Sequence, residues 1–463
     1  MAATSTPTTR VLVPSGALGI SFDKAALDRG LAARPDIICI DGGSTDSGPF
    51  YLGTGTSKYS RAVTKSEWTH LMRARAAADV PLVIGSCGTC GTDDTVGWML
   101  DITMEVAREL GQELRVATLR SSQPGERVKD ALRDGRIQPL APASEMTAEL
   151  IDACDNVVAL AGAEQIGAAL ETGADIVLAG RTTDTATIAA LPLQRQAHPG
   201  AAWHGAKIAE CGALCSTNPT SGVILVDFDA DGFTVEPLAD GASCTPHSVS
   251  AHMLYENADP FVLYEPGGYL DVRAAQYAAL DERRVRVTAS QWVQQPAYTV
   301  KLEAARAVGF QATIMAILRD ARYVRDAHPW MAKLQAFLAD EIHTHMALQP
   351  DSYSLEFRLI GIDGALGELE SKPSAPAEVG VLGIITAGDQ ETANEIGKLI
   401  NPWVLHFPLT EDEELPTFAF PYSPAQSERG PLYEFCVNHV MQLEDPMDAF
   451  RLDVAEVGRD HAG

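Results

Sequence analysis

The chain has 463 residues, 46% hydrophobic and 21% charged, a globular composition long enough for two or three domains. With 35 basic against 62 acidic residues it carries −27 at pH 7, a field that repels nucleic acid and anionic lipid, whose phosphates need clustered Lys and Arg. No apolar run approaches the roughly 20 residues of a membrane span, so nucleic-acid and membrane partners are not expected.

The first ten residues, "MAATSTPTTR", lack the basic start and apolar core of a secretory signal and read as a short leader, with a cytoplasmic location expected. Apolar β-type runs then alternate with helical stretches. The strands are "RVLVP" (10–14), "DIICID" (36–41), "PLVIGS" (81–86), "LRVATL" (114–119), "NVVALAG" (156–162) and "DIVLAGR" (175–181). Between them lie "TKSEWTHLMRARAAAD", "TVGWMLDITMEVARELG" and "GAEQIGAALETG" as helices. Continuous apolar strands between helices predict an α/β fold with an N-terminal parallel, doubly wound sheet over residues 10–200. A Pro/Gly/His stretch at 192–205 is the expected end of that domain. Beyond it, "GVILVDFDADGFTVEPL" reads as a hairpin, strands and a helix over 326–348 follow, and "VGVLGIITAGDQETANEIGKLI" is a strand–helix unit. Residues 201–463 are therefore predicted as a C-terminal α+β domain.

Right-handed crossovers place the C-terminal ends of parallel strands on one edge, where ligands bind. Three loops rich in small polar residues fall there: 41–55, 85–94 and 180–186. Such loops leave backbone N–H groups free at helix starts, an arrangement that attracts anions, although the same residues also serve as turns and caps. On this reading Ser44, Thr45 and Asp46, with Gly85, Ser86, Gly88, Gly91, Thr92 and Asp93, hold an anionic group. Arg181, directly after a strand, offers a guanidinium for bidentate capture of a carboxylate. Asp184 either orients Arg181, acts as a base, or caps the next helix. In "PHSVSAHMLYENADP", His252 and Glu256 form an i,i+4 pair suited to acid/base work or to an ordinary surface contact. Lys207 and Glu210 are spaced as a helical pair, and Lys301 and Glu303 share a strand face. Lys301 is a candidate substrate cation or a cross-strand ion pair.

There are eight cysteines. Cys39, Cys154 and Cys436 sit in apolar or helical contexts as fillers, and free thiols are expected throughout. Cys87 and Cys90 have zinc-like spacing, but zinc needs four ligands. The nearest others are Cys211, Cys215, Cys244 and His247, so a metal site built on Cys87, Cys90, Cys211 and Cys244 stands as the minority alternative to none. No P-loop, nucleophile elbow, H-E-x-x-H helix or dinucleotide fingerprint is present.

The segments "GSTDSGPFYLG", "GSCGTCGTD", "GADIVLAGRTTDTA", "AWHGAKIAECG", "CTPHSVSAHMLYENADPF", "YEPGGYLD" and "FAFPYSPA…GPLYEF" together resemble the acyclic terpene utilisation AtuA family, from about Gly19 to Leu452. Many family members carry Ala or Gly where this chain has Cys87 and Cys90, which favours a backbone role for that loop. The resemblance implies catabolism of branched or terpenoid acids. The residues themselves suit an enzyme acting on a small carboxylic acid or acyl-CoA thioester by proton transfer, as hydratase, dehydratase or isomerase, with loops 41–48 and 85–93 holding the anionic group, Arg181 clamping a carboxylate and His252 or Asp184 moving the proton. No cofactor is then expected, any CoA being part of the substrate. The resemblance implies a small companion subunit, and a homo-oligomer is expected besides. The alternatives are an accessory subunit of a heteromeric acyl-CoA carboxylase or lyase, such as a biotin-dependent carboxylase, and a metal-dependent lyase.

Overall fold

A computed structural model describes residues 9–372 and 375–458; the leader, residues 1–8, lies outside it. The described residues up to Arg306, with those from Phe435 onward, form one compact unit, and Ala307–Glu434 form another. The fold is mixed α/β, with a large sheet that contains parallel strands and further antiparallel sheets. Among the described residues no helix is long and apolar enough to cross a membrane.

In the first unit, strands Thr9–Val13, Ile37–Asp41, Leu82–Gly85, Ile176–Ala179 and Leu114–Arg120 are parallel neighbours in that spatial order. Their side chains alternate between two cores. Val11, Val13, Cys39, Val83, Val177 and Ala179 join one, while Leu12, Ile38, Ile40, Ile84 and Leu178 join the other. This period-2 division is why the strands read as continuous apolar runs: both faces are covered. Helices Arg61–Ala78 and Asp93–Leu110 supply Trp68, Leu71, Met99 and Ile102 to the second core. Ala163–Glu171, Ala186–Gln194 and Pro199–Ala209 supply Ile166, Ile188 and Trp203 to the first.

The sheet differs from the expected one at three places. Strand Asn156–Ala159 does not join the parallel set; it pairs antiparallel with residues 302–305, because Val157 and Ala159 belong to a separate apolar cluster with Val300, Leu302 and Met441. Ile224–Phe228 pairs antiparallel with Thr9–Val13, and Arg451–Val457 pairs antiparallel with Leu114–Arg120, so the sheet is mixed at both ends. The anticipated domain boundary near residue 200 thus falls inside the first compact unit, at the buried helix Pro199–Ala209.

The second unit packs helices Ala327–Met346 and Gln390–His406 against strands Tyr353–Ile360 and Val379–Ala387 and the segment 310–318. Trp330, Leu334, Ile385 and Ile396 are fully buried there. The chain enters this unit within strand Tyr298–Leu318 and leaves it within Gln426–Leu443.

Candidate functional site

A cavity of about 930 Å³ lies in the first unit, beside the C-terminal end of the Ile176–Ala179 strand. Arg181 is its best-anchored cation, 6% exposed. Its backbone N–H donates to the carbonyl of Gly91 at 2.9 Å and to Ser121 Oγ at 2.7 Å. Its Nε donates to Glu303 Oε2 at 3.0 Å, Nη1 to Ser86 Oγ at 3.0 Å and Nη2 to Thr45 Oγ1 at 3.4 Å. The three polar loops predicted to share an edge therefore meet at one guanidinium.

Much of the glycine loop's backbone is engaged inside the fold. The amides of Ser86, Cys87, Thr89 and Gly91 donate to the carbonyls of Gly180, Ala179, Ser86 and Cys87. The Asp93 amide donates to Ser122 Oγ, and Thr92 caps the helix. Gly85, Ser86, Gly88, Gly91, Thr92 and Asp93 do not line the cavity. These five engaged amides, with the Gly91 carbonyl that accepts from the Arg181 N–H, make this part of the loop a brace for Arg181. Gly91, at φ +63°, is required there: a Cβ would stand 2.2 Å from the Arg181 nitrogen. Ser44, Thr45 and Asp46 do line the cavity.

Glu303 bridges two cations, accepting from Arg181 and, at 2.9 Å, from Lys301 Nζ. Burial opposes its ionisation, but Arg181 and Lys301 prevail and hold the carboxyl down at about 2. The second buried pair behaves in the opposite way. Lys207 Nζ stands 2.5 Å from Glu210 Oε1, yet burial pushes Glu210 up to about 8, Lys207 opposing and Asp184 adding to the rise. Glu265, at the end of strand Val262–Glu265, is raised to about 7 by burial despite its 2.5 Å bond from Thr185 Oγ1. Its Oε2 is buried without a partner among the described residues. Asp184 is also raised by burial, with Arg181 and Lys207 opposing. Lys207, Glu210, Glu265, Glu303 and Asp184 all face the cavity.

His252 and Glu256 do not form the expected couple. The helix Pro246–Ala251 ends before them, a turn follows, and Glu256 takes φ +51°, which removes the shared face. Glu256 lines the cavity; His252 does not, and stacks on Tyr255 with ring centroids 5.4 Å apart. Burial and then Lys207 lower His252 to about 4. Among the described residues no group of three or more His, Cys, Asp or Glu is placed to hold a metal. Cys87 sits in an apolar core, Cys90 is buried, and Cys244 lies 3.8 Å from Cys215.

Lys207, Glu210, Glu265 and Glu303 were absent from the expected site. The two i,i+3 and i,i+2 pairs were visible as spacings, but nothing in "LYEPGG" marks Glu265, whose hydrogen-bond partner Thr185 lies 80 residues away in sequence.

Fold and cavity together define a mixed α/β protein with a charged internal pocket. The model of the acyclic terpene utilisation family protein AtuA matches residues 74–410, more than half of the chain, and the chain belongs to this family. No curated protein and no solved structure gives a significant match.

Proposed function

We propose that the protein is a catabolic enzyme that moves a proton at the carbon beside a carboxylate or thioester, in a hydratase, dehydratase or isomerase reaction within terpene utilisation. The observation that carries this reading is the presence, in one cavity, of Arg181 and Lys207 with carboxyl oxygens that accept no hydrogen bond among the described residues. Asp184 makes no side-chain hydrogen bond among the described residues, and Glu265 keeps one oxygen unpartnered. A guanidinium has five N–H donors; those bonded to Glu303, Ser86 and Thr45 leave Arg181 two for a substrate carboxylate. Asp184 removes the proton, Lys207 stabilises the negative charge that develops on the carbonyl oxygen, and Glu265, poised near 7, returns a proton.

Proton exchange tests this without knowledge of the product. Branched carboxylic acids and their CoA thioesters are incubated with the protein in D₂O, and loss of the α-proton signal is followed by NMR. Exchange is expected with the wild type and is expected to fall at least about 100-fold in Asp184→Asn. Unchanged exchange in Asp184→Asn and Glu265→Gln would sink the assignment.

A further inference from the structure

The cavity is larger and more polar than capture of one carboxylate requires. Thr299, Lys301 and Glu303 all line it, as the alternation of strand Tyr298–Leu318 dictates. Glu303 marks the end occupied by Arg181. At about 3.3 Å per residue, the lining row extends about 7 Å from there to Lys301 and about 13 Å to Thr299. A second wall comes from two paired strands. Val440 lies opposite Gln138, and the Gln442 amide donates to the Arg136 carbonyl at 2.8 Å, so these four side chains share the face that lines the cavity.

This wall is built differently from the inner end. Arg136 and Lys301 are half-exposed, and the ion-pair partner of each is a single carboxylate, Asp134 at 3.0 Å and Glu303 at 2.9 Å. Gln138, Gln442, Gln295 and Thr299 have no side-chain hydrogen bond to any described residue, although all four line the cavity. Arg181, by contrast, is locked by three side chains. Half-exposed cations, each held by one carboxylate, and amides with no side-chain partner among the described residues share one wall and are available to whatever fills the cavity.

We propose that Arg136 and Lys301, with the amides of Gln138 and Gln442, form a second anion subsite. The substrate class is then an acid with a second anionic group, a carboxylate or a phosphate, beyond the carboxyl held by Arg181. This rests on the reading of Arg181 given above.

Calorimetric titration with α,ω-dicarboxylic acids of increasing length, with matching monocarboxylic acids and with CoA thioesters of the monocarboxylic acids tests the subsite. The wild type is expected to bind a dianion of intermediate length roughly tenfold or more tighter than its monoanion. Arg136→Gln should erase that preference and leave monoanion affinity within about twofold, and Lys301→Gln should erase it as well. If the two variants weaken the thioesters instead, the second anion is a CoA phosphate. If neither dicarboxylates nor thioesters respond, the subsite is refuted. Arg181→Gln separates the two readings: it should weaken monoanions and dianions alike, and a variant that weakens neither refutes the inner site itself.

Discussion

Two buried carboxylates, Glu303 and Glu210, each touch a cation in the same cavity, yet burial and neighbours drive them in opposite directions. Glu303 is shared between Arg181 and Lys301 and ends at about 2; Glu210 has Lys207 alone, faces Asp184 and Glu265, and ends at about 8. Both carry the same desolvation penalty in kind. The count of surrounding charges decides the outcome: two cations overcome burial, and one cation among further carboxyls does not. One end of the cavity is thereby a fixed electrostatic frame, while the other holds protons that can move near neutral pH.

The largest break in this comparison is Arg181→Ala. It leaves Glu303 buried with Lys301 as its only cation, at a cost of about 3–5 kcal/mol, which denaturant unfolding should show. A variant as stable as the wild type would remove the frame from the account. Gly91→Ala attacks the brace. It carries about 1–2 kcal/mol for its left-handed backbone, and about 1–3 kcal/mol more because the new Cβ meets Arg181. Gly135→Ala, at φ +70° with open space around it, carries only the first of these. Equal losses in the two glycine variants would show that Gly91 does not press on Arg181.

The opposite pKa directions give opposite pH slopes. Glu303 lies below its ordinary 4.5, so its contribution to stability is present above 4.5 and lost as pH falls through about 2. Glu210 is raised, so its contribution is full below 4.5 and lost as pH rises through about 8. Unfolding midpoints measured across this range should decline toward pH 8, and Glu210→Gln should flatten the decline. A flat wild-type profile would mean that Glu210 ionises as readily as in water.

His204 isolates burial from charge. It is fully buried between Ser290 Oγ and Tyr277, at 2.7 Å and 3.3 Å, and burial lowers it from 6.5 to about 3. The unfolded chain takes up this proton first, so stability falls as pH drops from 6.5 toward 3. His204→Gln should weaken that acid limb. The smallest effect is expected from Cys87→Ala, about 1 kcal/mol for a minor core cavity. Metal analysis of protein purified without chelator should show no difference between it and the wild type; a stoichiometric metal lost in the variant would restore the cysteine site.

Much of the framework could be read along the chain. All six N-terminal strands and the three helices between them occur where periodicity placed them, because each segment carries its own apolar period and its own caps, such as Ser60 and Thr92. Arg181 was legible as a residue directly after a strand. Lys301 with Glu303 followed from the period of two, and Lys207 with Glu210 from the helical spacing. The His252–Glu256 pairing failed because the helix stops at Ala251, and no spacing rule sees the left-handed residue that follows.

By itself, then, the sequence determined what depends on neighbours along the chain: the alternation of strands and helices, the turn-forming loops and the position of Arg181. Only the tertiary structure decided that Asn156–Ala159 leaves the parallel sheet and that the glycine loop uses its amides internally. It also decided that Glu265, Glu210 and Asp184 meet across one cavity. A carboxyl's proton affinity is set by burial and by charges brought from distant segments, and neither is written in the residues beside it.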